Sequence, residues 1–135
     1  MAPNLAERFE QLRVDFLAEL ALGPDLLLPE AAGPLLAEFR EFLAAAELAP
    51  AALSAEVLEF YLYARARQGE NTAGLEERTL ALKALFAWAA AYRTVPDLGA
   101  DLAPLTRQGE ALAELIYHRW PPTGPAPVFV PLDLE

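Results

Sequence analysis

Hydrophobic residues recur at helical spacing through most of this chain, and the pattern breaks at glycine and proline. Asn4, with Glu7 three residues on, reads as a reciprocal helix cap, and Leu5, Phe9, Leu12, Phe16 and Leu20 follow at steps of three and four. Gly23-Pro24 ends this first helix. The stretch 23–33, GPDLLLPEAAG, is expected to be a loop whose leucines dock on the core. Gly33-Pro34 is expected to open a second helix, because proline suits a first turn whose N–H groups have no partner. Leu35, Leu36, Phe39, Phe42 and Leu43 form its inward stripe, with Glu38, Arg40 and Glu41 off it.

The run APAA after Leu48 stops that helix, and Ser54 is a suitable N-cap for a third. Leu53 and Leu58 are placed to staple its start, and Val57, Leu58, Tyr61 and Leu62 are expected to face inward, up to an end near Arg67-Gln68-Gly69. A fourth helix begins after the polar turn GENTAG. Leu75, Thr79, Leu82, Leu85, Phe86 and Ala89 cover one side of it, and Leu80, Ala84, Trp88 and Ala91 widen that surface. Only a narrow strip through Glu76, Lys83, Ala87, Ala90 and Thr94 is small or charged. Such a helix is buried by several neighbours, so it is predicted to be the centre of the molecule.

TVPDLGADLAP reads as a turn region, followed by a last helix from about Pro104 to Arg119 with Leu105, Leu112, Leu115, Ile116 and Trp120 on its apolar side. Pro121-Pro122 terminates it. The tail 121–135 carries five prolines and is expected to be extended, with Val128, Phe129 and Val130 as an apolar patch that docks on its own domain or on a partner. The expected architecture is all-α: an orthogonal bundle of about five helices over residues 1–120, then an extended tail.

Composition narrows the chemistry. At 135 residues and 55% hydrophobic, the chain has enough apolar material for a real core, which excludes disorder throughout. No cysteine is present, so disulfides, thiolate metal sites and cysteine nucleophiles are excluded. No signal-peptide pattern opens the chain and no apolar run is long enough to cross a membrane, so a cytoplasmic protein is expected. Twenty acidic residues against ten basic ones give a net charge of −10, which repels nucleic acid and anionic membrane on average.

Candidate catalytic groups are sparse. His118 is the sole histidine and falls in the last turn of a helix, where a cation suits the helix dipole. One histidine without cysteine makes none of the familiar zinc sites. Glu76-Glu77 and the Glu38/Glu41 pair have no Glu-x-x-His partner and read as solvated faces, and GENTAG lacks a Walker lysine. No catalytic, cofactor or metal site is expected. The basic residues Arg65, Arg67, Arg78 and Lys83 concentrate around the 68–74 turn, and read first as partners for Glu56, Glu59, Glu70, Glu76 and Glu77.

From about residue 35 to 105 the order of features resembles the N-terminal core-binding domain of tyrosine recombinases. The segments that carry the likeness are LLAEFREFLAAAEL, SAEVLEFYLYARAR and RTLALKALFAWAAAY, closed by a DLAPL-like turn. The resemblance implies a helical domain that grips duplex DNA, with Arg65, Arg67, Arg78 and Lys83 as phosphate contacts; the family's catalytic residues lie in a further domain. The residues themselves favour a non-catalytic helical module acting through protein contacts, with self-association first. A DNA-binding accessory is the alternative.

Overall fold

A computed structural model describes residues 4–22, 29–46, 53–93 and 95–121 of the chain. Among these the fold is all-α, with five helices and no strand: α1 (Leu5–Leu22), α2 (Pro29–Ala46), α3 (Ala55–Arg67), α4 (Thr72–Tyr92) and α5 (Arg107–Arg119). The Val128-Phe129-Val130 patch, and the leucines at 26–28 expected to dock on the core, lie outside the described residues.

Helix α4 touches each of the other four helices and is buried without interruption from Thr79 to Ala89. Its small residues, Ala81, Ala84, Ala87 and Ala89, let neighbours approach on several sides, while Leu82, Leu85, Phe86 and Trp88 fill the space between them. Phe9, Phe16, Leu20, Leu36, Phe39, Leu43, Leu58 and Tyr61 close around it. Each fully buried leucine or phenylalanine contributes about 1.5–3 kcal/mol of hydrophobic stabilisation. The aromatics form two groups. Phe16 joins Trp88 and Trp120 at centroid distances of 5.6 and 5.8 Å. The second is a column in which Phe86 meets Phe9, Phe9 meets Phe39, Phe39 meets Phe42, and Phe42 meets Phe60 at 6.1 Å.

Local chemistry sets the helix ends. Asn4 and Glu7 close the reciprocal cap, with the Glu7 N–H donating to Asn4 Oδ1 at 2.8 Å and the Asn4 N–H to Glu7 Oε1 at 2.9 Å. Ser54 is the N-cap of α3, but its side chain makes no capping bond. Gly69 ends the same helix at φ +98°, a left-handed conformation that costs glycine little. Asn71 caps α4 and Thr106 caps α5, each accepting from the glycine N–H three residues on.

Two boundaries differ from the sequence expectation. Helix α2 begins at Pro29, not at Gly33-Pro34, so Pro34 lies inside it. Pro29-Glu30 supplies a start of its own, with proline at the first position and an acid beside it. The cost is the N–H that Pro34 lacks. Helix α5 begins at Arg107, behind the Thr106 cap, and it buries Gly109, Ala113 and Ile116. Leu105 and Leu115, expected on its apolar side, are exposed. Among the described residues, no helix is long and apolar enough to cross a membrane.

Candidate functional site

The four cations singled out in the sequence do not form one surface: Arg65 and Arg78 meet on Glu38 and Glu70, while Lys83 and Arg67 lie apart from them. Lys83 is 3% exposed. Its ammonium donates to three backbone carbonyls, those of Gly99, Ala100 and Leu102, at 3.0, 3.1 and 2.7 Å. It also lies 5.4 Å from the centroid of the Tyr117 ring. Burial pushes the Lys83 pKa down, against the opposing pull of the Asp97 and Asp101 carboxylates. The same burial pushes Asp97 and Tyr117 up. The Tyr117 hydroxyl sits beside Asp97 without closing a hydrogen bond of good geometry. Lys83 is therefore a clasp that holds the 97–102 turn on α4, with its ammonium occupied by backbone carbonyls. Gly99 makes the approach possible, since a Cβ there would stand 2.9 Å from the Lys83 Cα.

Arg78, with a side chain 11% exposed, is committed to α2. Its Nε and Nη2 reach the two oxygens of Glu38 at 2.7 and 3.1 Å, while Nη1 donates to the Gly74 carbonyl and lies 3.3 Å from Glu70. The Tyr61 hydroxyl donates to the same Glu38 carboxylate. Arg65 joins through Glu70 and Glu38, at 3.2 and 3.5 Å. The hydrogen bonds from Arg78 chiefly, then Tyr61, hold the Glu38 carboxyl below its ordinary range. Arg78 is raised by Glu38, and Tyr61 is raised by burial and then by Glu38. Glu70 is thus one of the partners the sequence predicts, whereas Glu38, 40 residues from Arg78, is paired and not on a solvated face.

Glu76 likewise departs from the solvated reading. It is 8% exposed, and its Oε1 accepts from the Leu105 and Thr106 N–H groups at 2.7 Å each, at the start of α5. A carboxylate at this positive helix end is favourable. Gly109 provides its space, because a Cβ there would collide with the Glu76 carboxylate.

Of the four cations, Arg67 alone stands exposed and without an ion pair to a described residue. It donates to the Tyr63 hydroxyl at 3.0 Å, and its guanidinium lies 5.8 Å from the centroid of the Tyr63 ring. Tyr63 is 57% exposed and Phe60 is 62% exposed. Glu56 and Glu59 are exposed beside them, and no ion pair among the described residues involves either. Glu56, Phe60, Tyr63 and Arg67 follow a 4-3-4 spacing, which sets them in one stripe on the side of α3 opposite Leu58 and Tyr61. Phe60 is also the outer end of the aromatic column that starts in the core. The sequence reading assigned only the inward stripe of α3. The second stripe was visible at the same periodicity.

Among the described residues, no other region gathers reactive groups. His118 falls in the last turn of α5, as the sequence predicts, and it is exposed. An apolar cleft of about 270 Å³ is lined by Leu5, Phe9, Leu12, Leu53, Val95 and Leu98, with Arg8 its charged residue. No group of three potential metal ligands occurs among the described residues. Comparison with family models, curated proteins and solved structures finds no match to this chain.

Proposed function

We propose that this protein is a non-catalytic helical module that acts through protein–protein contact on the outer face of α3, with self-association as the form of that contact. The observation that carries this reading is the exposed aromatic pair Phe60 and Tyr63, with Arg67 lying on the Tyr63 ring. Aromatic residues and arginine are the types enriched where interfaces bind: the rings offer large contact area for little lost freedom, and the guanidinium stacks on rings and pairs with carboxylates. Phe60 is backed by the Phe42 ring, with centroids 6.1 Å apart, so part of its position is set before any partner arrives. The DNA-binding alternative draws less support, since Lys83, Arg78 and Arg65 are occupied within the fold. Too few cations are left there to displace counterions from a duplex.

Light scattering on the purified chain tests the reading. Two copies of net charge −10 repel, so the measurement is made at about 150 mM salt, where the screening length is about 8 Å. The expected mass exceeds the monomer and rises with concentration, and Phe60→Glu with Tyr63→Glu returns it to the monomer. A wild-type chain that stays monomeric, or a double variant that associates as before, refutes it.

A further inference from the structure

The outer face of α3 is complementary to itself. Its amino-terminal end carries Glu56, its carboxy-terminal end carries Arg67, and Phe60 and Tyr63 lie between them. A parallel pair of such helices would set Glu56 against Glu56 and Arg67 against Arg67. An antiparallel pair about a two-fold axis does the reverse, because residue i meets residue j and j meets i. The even 4-3-4 spacing then puts both ends and both rings in register at once.

We infer that the occupant of this face is a second copy of the chain, with the two α3 helices antiparallel, Glu56 facing the partner's Arg67 and Phe60 packing on the partner's Tyr63. The inference rests on the self-association reading above and adds its register. Each two-fold contact closes two Phe–Tyr pairs, and the quadrupoles of aromatic rings favour offset or edge-on packing in such a site. It also closes two Glu–Arg pairs at the rim. Their worth is mainly orientation, since exposed ion pairs contribute little affinity but like charges in contact are penalised. Charge therefore selects antiparallel over parallel, and the rings supply the attraction. A contact of one short helix per subunit falls below about 1,200 Å², so the association is of the weak, reversible kind.

The test is charge complementation, read by sedimentation equilibrium from about 10 μM to about 1 mM, so that a weak, reversible dimer is populated within the range. Glu56→Arg alone places arginine against arginine twice, and Arg67→Glu alone places glutamate against glutamate twice. Each single variant is expected to dimerise about tenfold or more weakly than wild type, as four exposed charges change from attraction to repulsion. An equimolar mixture of the two forms a heterodimer in which both contacts are attractive again, and is expected to recover wild-type affinity. The mixture also controls for folding, since misfolded variants cannot rescue each other. As a second arm, Phe60→Cys mixed with Tyr63→Cys under mild oxidation is expected to give the mixed disulfide in preference to either homodimer, in a chain with no other cysteine. A mixture no better than the single variants, with wild type still dimeric and the Phe60→Glu, Tyr63→Glu double variant monomeric, overturns this register and leaves the self-association reading standing. A monomeric wild type overturns both.

Discussion

Helices α3 and α4 lie one after the other in the chain, and the outer stripe of α3 holds its charges differently from the buried length of α4. On α4, Glu76, Arg78 and Lys83 are drawn inward, and each is held by groups that the fold supplies. On α3, Glu56, Glu59 and Arg67 face outward beside two exposed rings. The difference shows where binding energy remains available. A cation already bonded to three carbonyls has no hydrogen left to offer, whereas an aromatic ring half in water gains by being covered.

The sharpest way to break the contrast is at Lys83. Lys83→Met keeps the aliphatic stem but leaves the Gly99, Ala100 and Leu102 carbonyls without their shared donor. Unsatisfied buried acceptors cost about 1–3 kcal/mol each, so a loss of about 3 kcal/mol is expected in urea unfolding. A loss under about 0.5 kcal/mol would show the clasp to be dispensable.

A smaller effect is expected from acid. The Arg78 hydrogen bond holds Glu38 below the ordinary carboxylate range, and hydrogen bonds from Arg13 first and then Arg40 hold Glu10 down to about 2. The unfolded chain takes up these protons at higher pH than the folded one, so stability falls as pH drops below about 4.5. The urea midpoint should decline across that window, and Glu10→Gln with Glu38→Gln should flatten the decline. An unchanged slope in the double variant counts against these pairs.

The smallest effect on stability is expected at α3. Phe60→Glu should leave the unfolding free energy within about 0.5 kcal/mol of wild type, because the ring is mostly in water. A large loss would make Phe60 a core residue and remove the contrast with α4.

The backbone of this fold is plain in the chain, and its long-range choices are not. The central position of α4 follows from apolar residues around nearly its whole circumference, and the Asn4–Glu7 cap from three-residue spacing. Both depend on residues within one or two turns. Gly33-Pro34 misleads because a local breaker competes with the start at Pro29, and packing against α1 outweighs it, with Arg13 donating to the Gly33 carbonyl. The fates of Glu38, Glu76 and Lys83 depend on what crosses them from 16 to 40 residues away. No periodicity encodes that. The outward stripe of α3 is a different case: its spacing is local and regular, and its exposure follows from the inward stripe opposite.

The carbonyl clasp has a practical consequence for anyone handling the protein. Lys83 is the only lysine in the sequence, so the folded chain offers no side-chain amine to acylating reagents, and biotin or dye esters will leave its helices untouched. Any label that does arrive at Lys83 records the moments when the 97–102 turn lifts off α4. The residue that fastens the turn is also a built-in counter of how often it comes undone.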